Sequence, residues 1–449
     1  MNLRTAFNGL PFAADILDAH MLEVVKGASV AFVLKVFGAG FAFAFNVVLA
    51  RMLGAGGSGV YYLALTLATI VAVFGTMGLD NALLRFVAAG AAVDDWASVK
   101  GVYRKAVTFA AGAAVASGLV LFMLAPWLAT AVLSKPETEE PLRWMAAAVV
   151  PMVLLTLHAE ALKGIKRIRD SQLVQAAGTP IFSLVALYFF GQSWGVKGAV
   201  WAYTLAVTLT GVLAYGIWRI ATPKLRDVKG RFDTRRLLCS ATPLFWIAFT
   251  NLVMVWCSTL LLGILRPSED VGVFGIASRT ASLMGYVLIA VNSIAAPKFA
   301  ALHRLGDMEA LGSTARKSAR LMILIVSPLC ALFILAPTFV MGLFGPQFGE
   351  GGVALSILAA GQLINVAAGS VGYLLMMSGN GHLLRNGVLV SAVINVLLCI
   401  LLIPRHGFIG AAIASAMSLA VLNIICLILV RNSMGINMLK PVFISQRRV

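Results

Sequence analysis

The chain has 449 residues, 60% of them apolar and only 12% charged, with Lys and Arg outnumbering Asp and Glu by 35 to 18. Soluble domains carry about a quarter charged residues, and a water-soluble globule could not hide this much apolar surface, so the composition excludes a soluble enzyme or binding module. The net charge of +17 does not indicate nucleic-acid binding either, because the basic residues sit at the ends of apolar runs instead of gathering on one soluble face among aromatics.

Those runs are each about 20 residues or longer, enough to cross a hydrocarbon layer as helices. Open sheets are excluded at that depth, and a barrel would need short alternating strands. Residues 1–26 contain Asp15, Asp18 and Glu23 and lack a continuous apolar core, so they do not read as a cleavable signal. Twelve spans are expected, near 27–52, 58–80, 103–132, 142–165, 171–191, 196–219, 237–265, 271–296, 317–343, 352–378, 386–403 and 408–430.

A charge inside a span costs about 2.5 to 3.5 kcal/mol on insertion scales, so polar and ionisable groups there carry the information. In the first span Lys35, Ala39, Ala42 and Asn46 make one small and polar stripe. Lining a cavity is one reading of Lys35; snorkelling to the interface is the other. The second span carries Tyr62, Thr66, Thr69, Thr76 and Asp80 on one face, which suits either a cavity wall or tight packing with back-bonded hydroxyls. Between the third and fourth spans, Glu137, Glu139 and Glu140 read as solvated surface. His158 and Glu160 in the fourth tempt a proton-relay reading, but two residues apart on a helix they point to nearly opposite sides. Glu160 shares a face with Thr156, Lys163 and Arg167, which favours an ion pair with Lys163.

After the sixth span comes the most basic loop, with Lys224, Arg226, Lys229, Arg231 and Arg235. It divides the chain into a six-helix lobe over 1–220, a linker over 221–236 and a second six-helix lobe over 237–449. Arg279 lies deep in the eighth span, with Gly272, Gly275, Ser282, Tyr286 and Ser293 near its face; snorkelling is hard from there, and a cavity role is expected. Gln362, Asn365, Gly369 and Tyr373 form a weaker polar stripe in the tenth. Cys239, Cys257, Cys330, Cys399 and Cys426 are scattered without ligand-like spacing and read as small buried hydrophobes.

The halves repeat each other. Gly59-Val60-Tyr61 and Arg85-Phe86 match Gly272-Val273-Phe274 and Lys298-Phe299 at one common offset, while Gly195, Gly198, Ala199 and Ala202 match Gly407, Gly410, Ala411 and Ala414 at an offset one residue shorter. Because six spans return the chain to its starting side, this is a parallel repeat with a substrate site expected between the lobes. The Lys and Arg bias puts both termini in the cytoplasm. No nucleotide cradle, HExxH motif or large loop for a catalytic domain is present in the sequence.

Two stretches carry a family resemblance. LARMLGAGGSGVYYLALTLATIVAVFGTMGLDNALLRFVA from Leu49 to Ala88, and the stretch from Gly361 to Val430 with GQLINVAAGSVGYLLMMSGNG and NVLLCILLIPRHGFIGAAIASAMSL, resemble polysaccharide flippases of the Wzx type. These belong to the superfamily that also holds MATE drug exporters and the lipid II flippase. The resemblance implies an all-α, MATE-like membrane fold with two lobes that open alternately. It implies a bacterial inner-membrane protein that moves an undecaprenyl-phosphate- or pyrophosphate-linked oligosaccharide from the cytoplasmic to the periplasmic leaflet, with no cofactor and no covalent chemistry. Membrane lipids and polysaccharide polymerase or other assembly proteins are the implied partners. It also implies that Arg279, in VGVFGIASR, holds the phosphate with Lys35 as helper. The substrate-binding set expected is therefore Arg279, Lys35, Asn46, Tyr62, Thr66, Thr69, Ser282 and Tyr286. A cation-coupled drug antiporter and a membrane enzyme of glycan assembly are the alternatives, and the basic character of the deep groups favours an anionic headgroup.

Overall fold

The computed structural model describes residues 19–438, and among them every regular element is helical. Helices suit lipid, because each satisfies its own backbone groups within one segment. Helix α1 runs Ala19–Thr76 and breaks at Gly54, whose φ of 65° suits a residue without a Cβ. The chain turns at Met77 and Gly78 into α2, Leu79–Ala92, an amphipathic helix where the sequence reading placed a loop. Asp80 therefore sits in the first turn of α2 and not on the helix that carries Thr76. Helix α3, Trp96–Trp127, is capped by Asp95, which accepts a hydrogen bond from Ser98 N at 3.0 Å, and widens into a π-helical turn over Leu128–Val132. Short α4 (Glu139–Ala146) and α5 (Val149–Gly164) meet at a bend of 45°. Helix α6 (Ile168–Gln172) leads through a second π-helical turn, Leu173–Gly178, into α7 (Thr179–Ala221).

The second half holds α8 (Thr234–Leu265), α9 (Ser268–Arg304), α10 (Met308–Leu335), α11 (Pro337–Gly342), α12 (Gly352–Ala368), α13 (Val371–Met377) and α14 (Gly381–Met434). Among the described residues nine helices are long and apolar enough to cross a membrane, ten if the bent α4–α5 pair forms one crossing. Two of the nine, Val33–Thr76 with 44 residues and Gly381–Met434 with 54, far exceed the roughly 20 residues that one crossing needs. They break at Gly54 and Gly407, and the expected twelve is reached only when each is taken as two crossings.

The glycines of the sequence repeat explain the break in α14 and a matching one in α7. Gly195 in α7 has φ 53° and ψ −131°, and Gly407 in α14 has φ 54° and ψ −133°. Matched residues thus make the same hinge. Gly59 and Gly272, another matched pair, pack against each other where the second part of α1 crosses α9. A methyl group on Gly59 would lie 1.7 Å from Ser268 O, and one on Gly272 would lie 2.0 Å from Ala55 O. Glycine at both positions is what lets two backbones touch without a hydrophobic driving force between helices in lipid.

The basic segment between α7 and α8 is docked rather than slack. Arg231 N donates to Ala97 O at 3.0 Å, Lys105 Nζ to Phe232 O and Thr234 Oγ1 at 2.7 Å each, and Lys224 Nζ to Asp94 at 3.1 Å. Hydrogen bonds from Trp96 and Lys224 hold the exposed Asp94 carboxyl below its usual range. Ala221 ends α7 and Thr234 begins α8, and the segment between them holds a 3-10 turn at Pro223–Leu225. Phe37, Met123, Val212, Leu324 and Leu335 are strongly exposed, as apolar side chains that face lipid are in a multi-pass membrane protein. The five cysteines are free, and Cys239 is exposed, contrary to its expected burial. The reading of residues 1–26 lies largely outside the described residues, as does the end of the chain after 438.

Candidate functional site

Gly275 of α9 sets the site's geometry, because a methyl group there would lie 2.6 Å from Tyr62 Cδ2. With glycine the helix closes on that ring. One turn later the Arg279 guanidinium lies over the ring, 3.8 Å from its centroid, with Nη1 donating to Gly275 O at 3.2 Å. A cation over a tyrosine face in a desolvated place gains about 2 kcal/mol. Tyr62 is itself pinned: its hydroxyl donates to Asn46 Oδ1 at 2.7 Å, and Asn46 Nδ2 donates to Ala42 O at 2.7 Å. Among the described residues no carboxylate lies within ion-pair distance of Arg279. The guanidinium borders a cavity of about 120 Å³ lined also by Asn46, Tyr61, Tyr62, Ser183 and Tyr203.

Of the expected binding residues, the structure brings together Arg279, Tyr62 and Asn46. Lys35 is three helical turns, about 16 Å, from Asn46 along α1, is half-buried, and has Lys163 as its electrostatic neighbour. It belongs to a different level of the bundle from Arg279. Thr66 is fully buried with no hydrogen-bond partner for Oγ1, and Thr69 Oγ1 donates to Leu65 O at 2.7 Å. Neither threonine borders the Arg279 cavity. Ser282 donates to Ser278 O at 2.7 Å, and neither it nor the partly exposed Tyr286 borders the Arg279 cavity. The side chain of Ser293 is outside the described residues. Tyr61, Ser183 and Tyr203, which do border it, escaped sequence reasoning; a lone serine or tyrosine in an apolar span gives little signal, although Ser183 is one turn from Thr179, another lining residue.

Three other groups of polar residues in the spans are satisfied locally. Glu160 accepts from Lys163 Nζ, as expected, and also from Gln175 Nε2 at 3.0 Å. His158 points elsewhere, its ring between Tyr103 and Tyr215 at centroid distances of 5.9 and 5.6 Å. Asn365 links Gln362 at 3.3 Å to Asn423 at 3.1 Å, a bridge from α12 to α14, while Tyr373 of the expected stripe lies on α13, beyond the break at Gly369.

The two halves are tied at the end of the bundle away from the basic segment. Arg51 Nε donates to Leu343 O at 2.8 Å, Ala55 N to Gln347 Oε1 at 2.9 Å, Ser268 Oγ to Glu137 Oε1 at 3.0 Å, and buried Lys135 to Gly263 O. Glu137 is thus a cross-link rather than plain solvated surface. Glu139 and Glu140 pair with Arg143 at 3.0 Å and Lys197 at 2.7 Å.

This helical architecture has the fold shared by MATE transporters and the lipid II flippase MurJ. It superposes on an inward-facing MATE multidrug transporter with a TM-score of 0.72 at 16% identity, covering 91% of this chain and 98% of that one. The lipid II flippase MurJ in an inward closed conformation gives 0.71 at 12% identity, covering 89% and 87%. The chain belongs to the polysaccharide biosynthesis protein family, whose profile matches residues 24–303. Over 416 residues it is 22% identical to Agl15, a probable low-salt glycan biosynthesis flippase of the archaeon Haloferax volcanii, covering 89% of this chain and 82% of that protein.

Proposed function

We propose that this protein flips a lipid-linked oligosaccharide across the cell's cytoplasmic membrane by alternating access, and that Arg279 holds the phosphate or diphosphate of the carrier lipid. Both the family and its named flippase relative support the transport reading. The observation that carries the mechanism is a half-buried guanidinium where α9 meets α1, pinned by Tyr62 and left without an acidic partner among the described residues. Dragging a diphosphate through hydrocarbon would cost many kcal/mol. Charge-assisted, bidentate hydrogen bonds from an arginine fork offset that cost, while the lipid tail stays in the bilayer.

The direction follows from topology. With both termini in the cytoplasm, as the Lys and Arg bias implies, the end tied by Arg51, Ala55, Lys135 and Glu137 is the outer one, and the cavity is in the state that loads from inside. Lys35, nearer the inner mouth, then acts as an entry cation, and the chain carries the substrate without making or breaking bonds.

The test replaces Arg279 in cells lacking their native flippase and measures accumulation of lipid-linked precursor, with protein abundance followed in the same membranes. Arg279→Ala is expected to insert normally and lose at least about tenfold in flipping, the value of one charge-assisted hydrogen bond. Arg279→Lys, which keeps charge but not the fork, is expected to retain partial activity. Normal flipping by Arg279→Ala at normal abundance would remove the anion-holding mechanism.

A further inference from the structure

The cavity beside Arg279 contains a feature that phosphate binding leaves unexplained. Tyr61 is 1% exposed and Ser183 is 2% exposed, both border the cavity, and neither hydroxyl has a hydrogen-bond partner among the described residues. Burying a hydroxyl without a partner costs about 1–3 kcal/mol, and two at one small cavity ask for something that pairs with them. The walls are aromatic. Tyr61 packs edge-on to Tyr203, with centroids 6.4 Å apart and planes at 85°, and to Tyr62, at 5.5 Å and 69°. The volume of about 120 Å³ corresponds to roughly four waters, room to seat the edge of one sugar ring and far too little for an oligosaccharide. Arg279 is the one charged group among the lining residues.

We propose that this pocket is a subsite for a single neutral sugar ring, the one attached directly to the carrier's phosphate, with Tyr61 and Ser183 as the hydroxyls that select it. The proposal rests on the reading of Arg279 as the phosphate holder: a ring joined to that phosphate has the cavity within one bond's reach. A pyranose presents C–H faces that pack on phenol rings and a rim of hydroxyls that donate and accept. Tyr61 and Ser183 supply the matching hydroxyls, while Asn46 and Tyr62, already bonded to each other at 2.7 Å, hold the phosphate side of the pocket in place. A purely apolar ligand would leave both hydroxyls unpaired, and sites built this way reject ligands that lack the matching polar group. The glycan beyond the first ring lies outside the pocket, so selection acts on the first sugar alone.

The experiment uses the full-length protein in lipid nanodiscs and measures dissociation constants for farnesyl diphosphate and for the same lipid linked to glucose, galactose or N-acetylglucosamine. Wild type is expected to bind at least one sugar-bearing lipid about tenfold more tightly than the bare lipid. Tyr61→Phe, which keeps the ring, and Ser183→Ala are each expected to erase most of that preference; Arg279→Ala weakens both kinds of lipid together. A thermal melt of the empty protein gives a second readout: removing an unpartnered buried hydroxyl is expected to leave the melting temperature unchanged or raised. Equal binding of bare lipid and all three sugar lipids by wild type, with Arg279→Ala still weak, overturns the sugar subsite and spares the phosphate reading. Binding of both kinds of lipid that ignores Arg279→Ala overturns the phosphate reading and the subsite with it.

Discussion

Glu160 and Arg279 show how one residue-scale question, whether a charge inside the bundle has a partner, separates structure from function. Glu160 has two donors, Lys163 and Gln175, and only 12% of its side chain is exposed. Arg279 has an aromatic face and a carbonyl of its own helix. A satisfied pair has no free energy to gain from a ligand, whereas an unpaired cation does. Glu160→Gln keeps an acceptor for both donors but loses the charge, so it is expected to lower stability by about 1 kcal/mol. Its transport rate should follow the same pH profile as wild type, measured as precursor turnover in vesicles at buffered pH. A flattened profile in a well-folded variant would return Glu160 to the proton-coupling role that its spacing from His158 first suggested.

Among elements, the crossing of α1 and α9 decides what the protein can close. Gly59 and Gly272 allow backbone contact, and the same close approach lets Gly275 bring Arg279 onto Tyr62. A side chain at Gly59 must push the helices apart, since even its Cβ would sit 1.7 Å from Ser268 O. Gly59→Leu is therefore expected to insert and to prevent closure at this end. Labelling of a cysteine placed at Ser268 by a membrane-impermeant thiol reagent should rise at least several-fold over the same cysteine in the Gly59 background. Unchanged labelling with normal flipping would show that the contact is not needed for closure.

For the whole molecule, transport by alternating access requires the ties between the halves to break in each cycle. Ala55 N meets the Gln347 side chain at 2.9 Å, and Arg51 meets Leu343 O at 2.8 Å, so both come apart when that end opens. A disulfide between Ala55→Cys and Gln347→Cys should arrest flipping, and a reductant should restore it, with the native cysteines replaced because Cys239 is exposed. Full flipping with the cross-link formed would mean that this end never opens during transport.

The sequence by itself determined the class of protein, because apolar runs longer than about 20 residues admit only membrane helices. It also held the internal repeat, whose matched glycines Gly195 and Gly407 adopt the same hinge, and it singled out Arg279, since a deep arginine is costly wherever its helix packs. Helix periodicity reports which residues share a face but not which helix covers that face. So the threonine stripe, Ser282 and Tyr286 could be grouped with Arg279 by spacing although they do not border its cavity, and Lys35 could be paired with it across about three turns of helix. Only the packing of α1 on α7 and α9 decided that Tyr61, Ser183 and Tyr203 converge on that arginine, because their chain positions are far apart and the contact between them is set by where glycines allow backbones to approach.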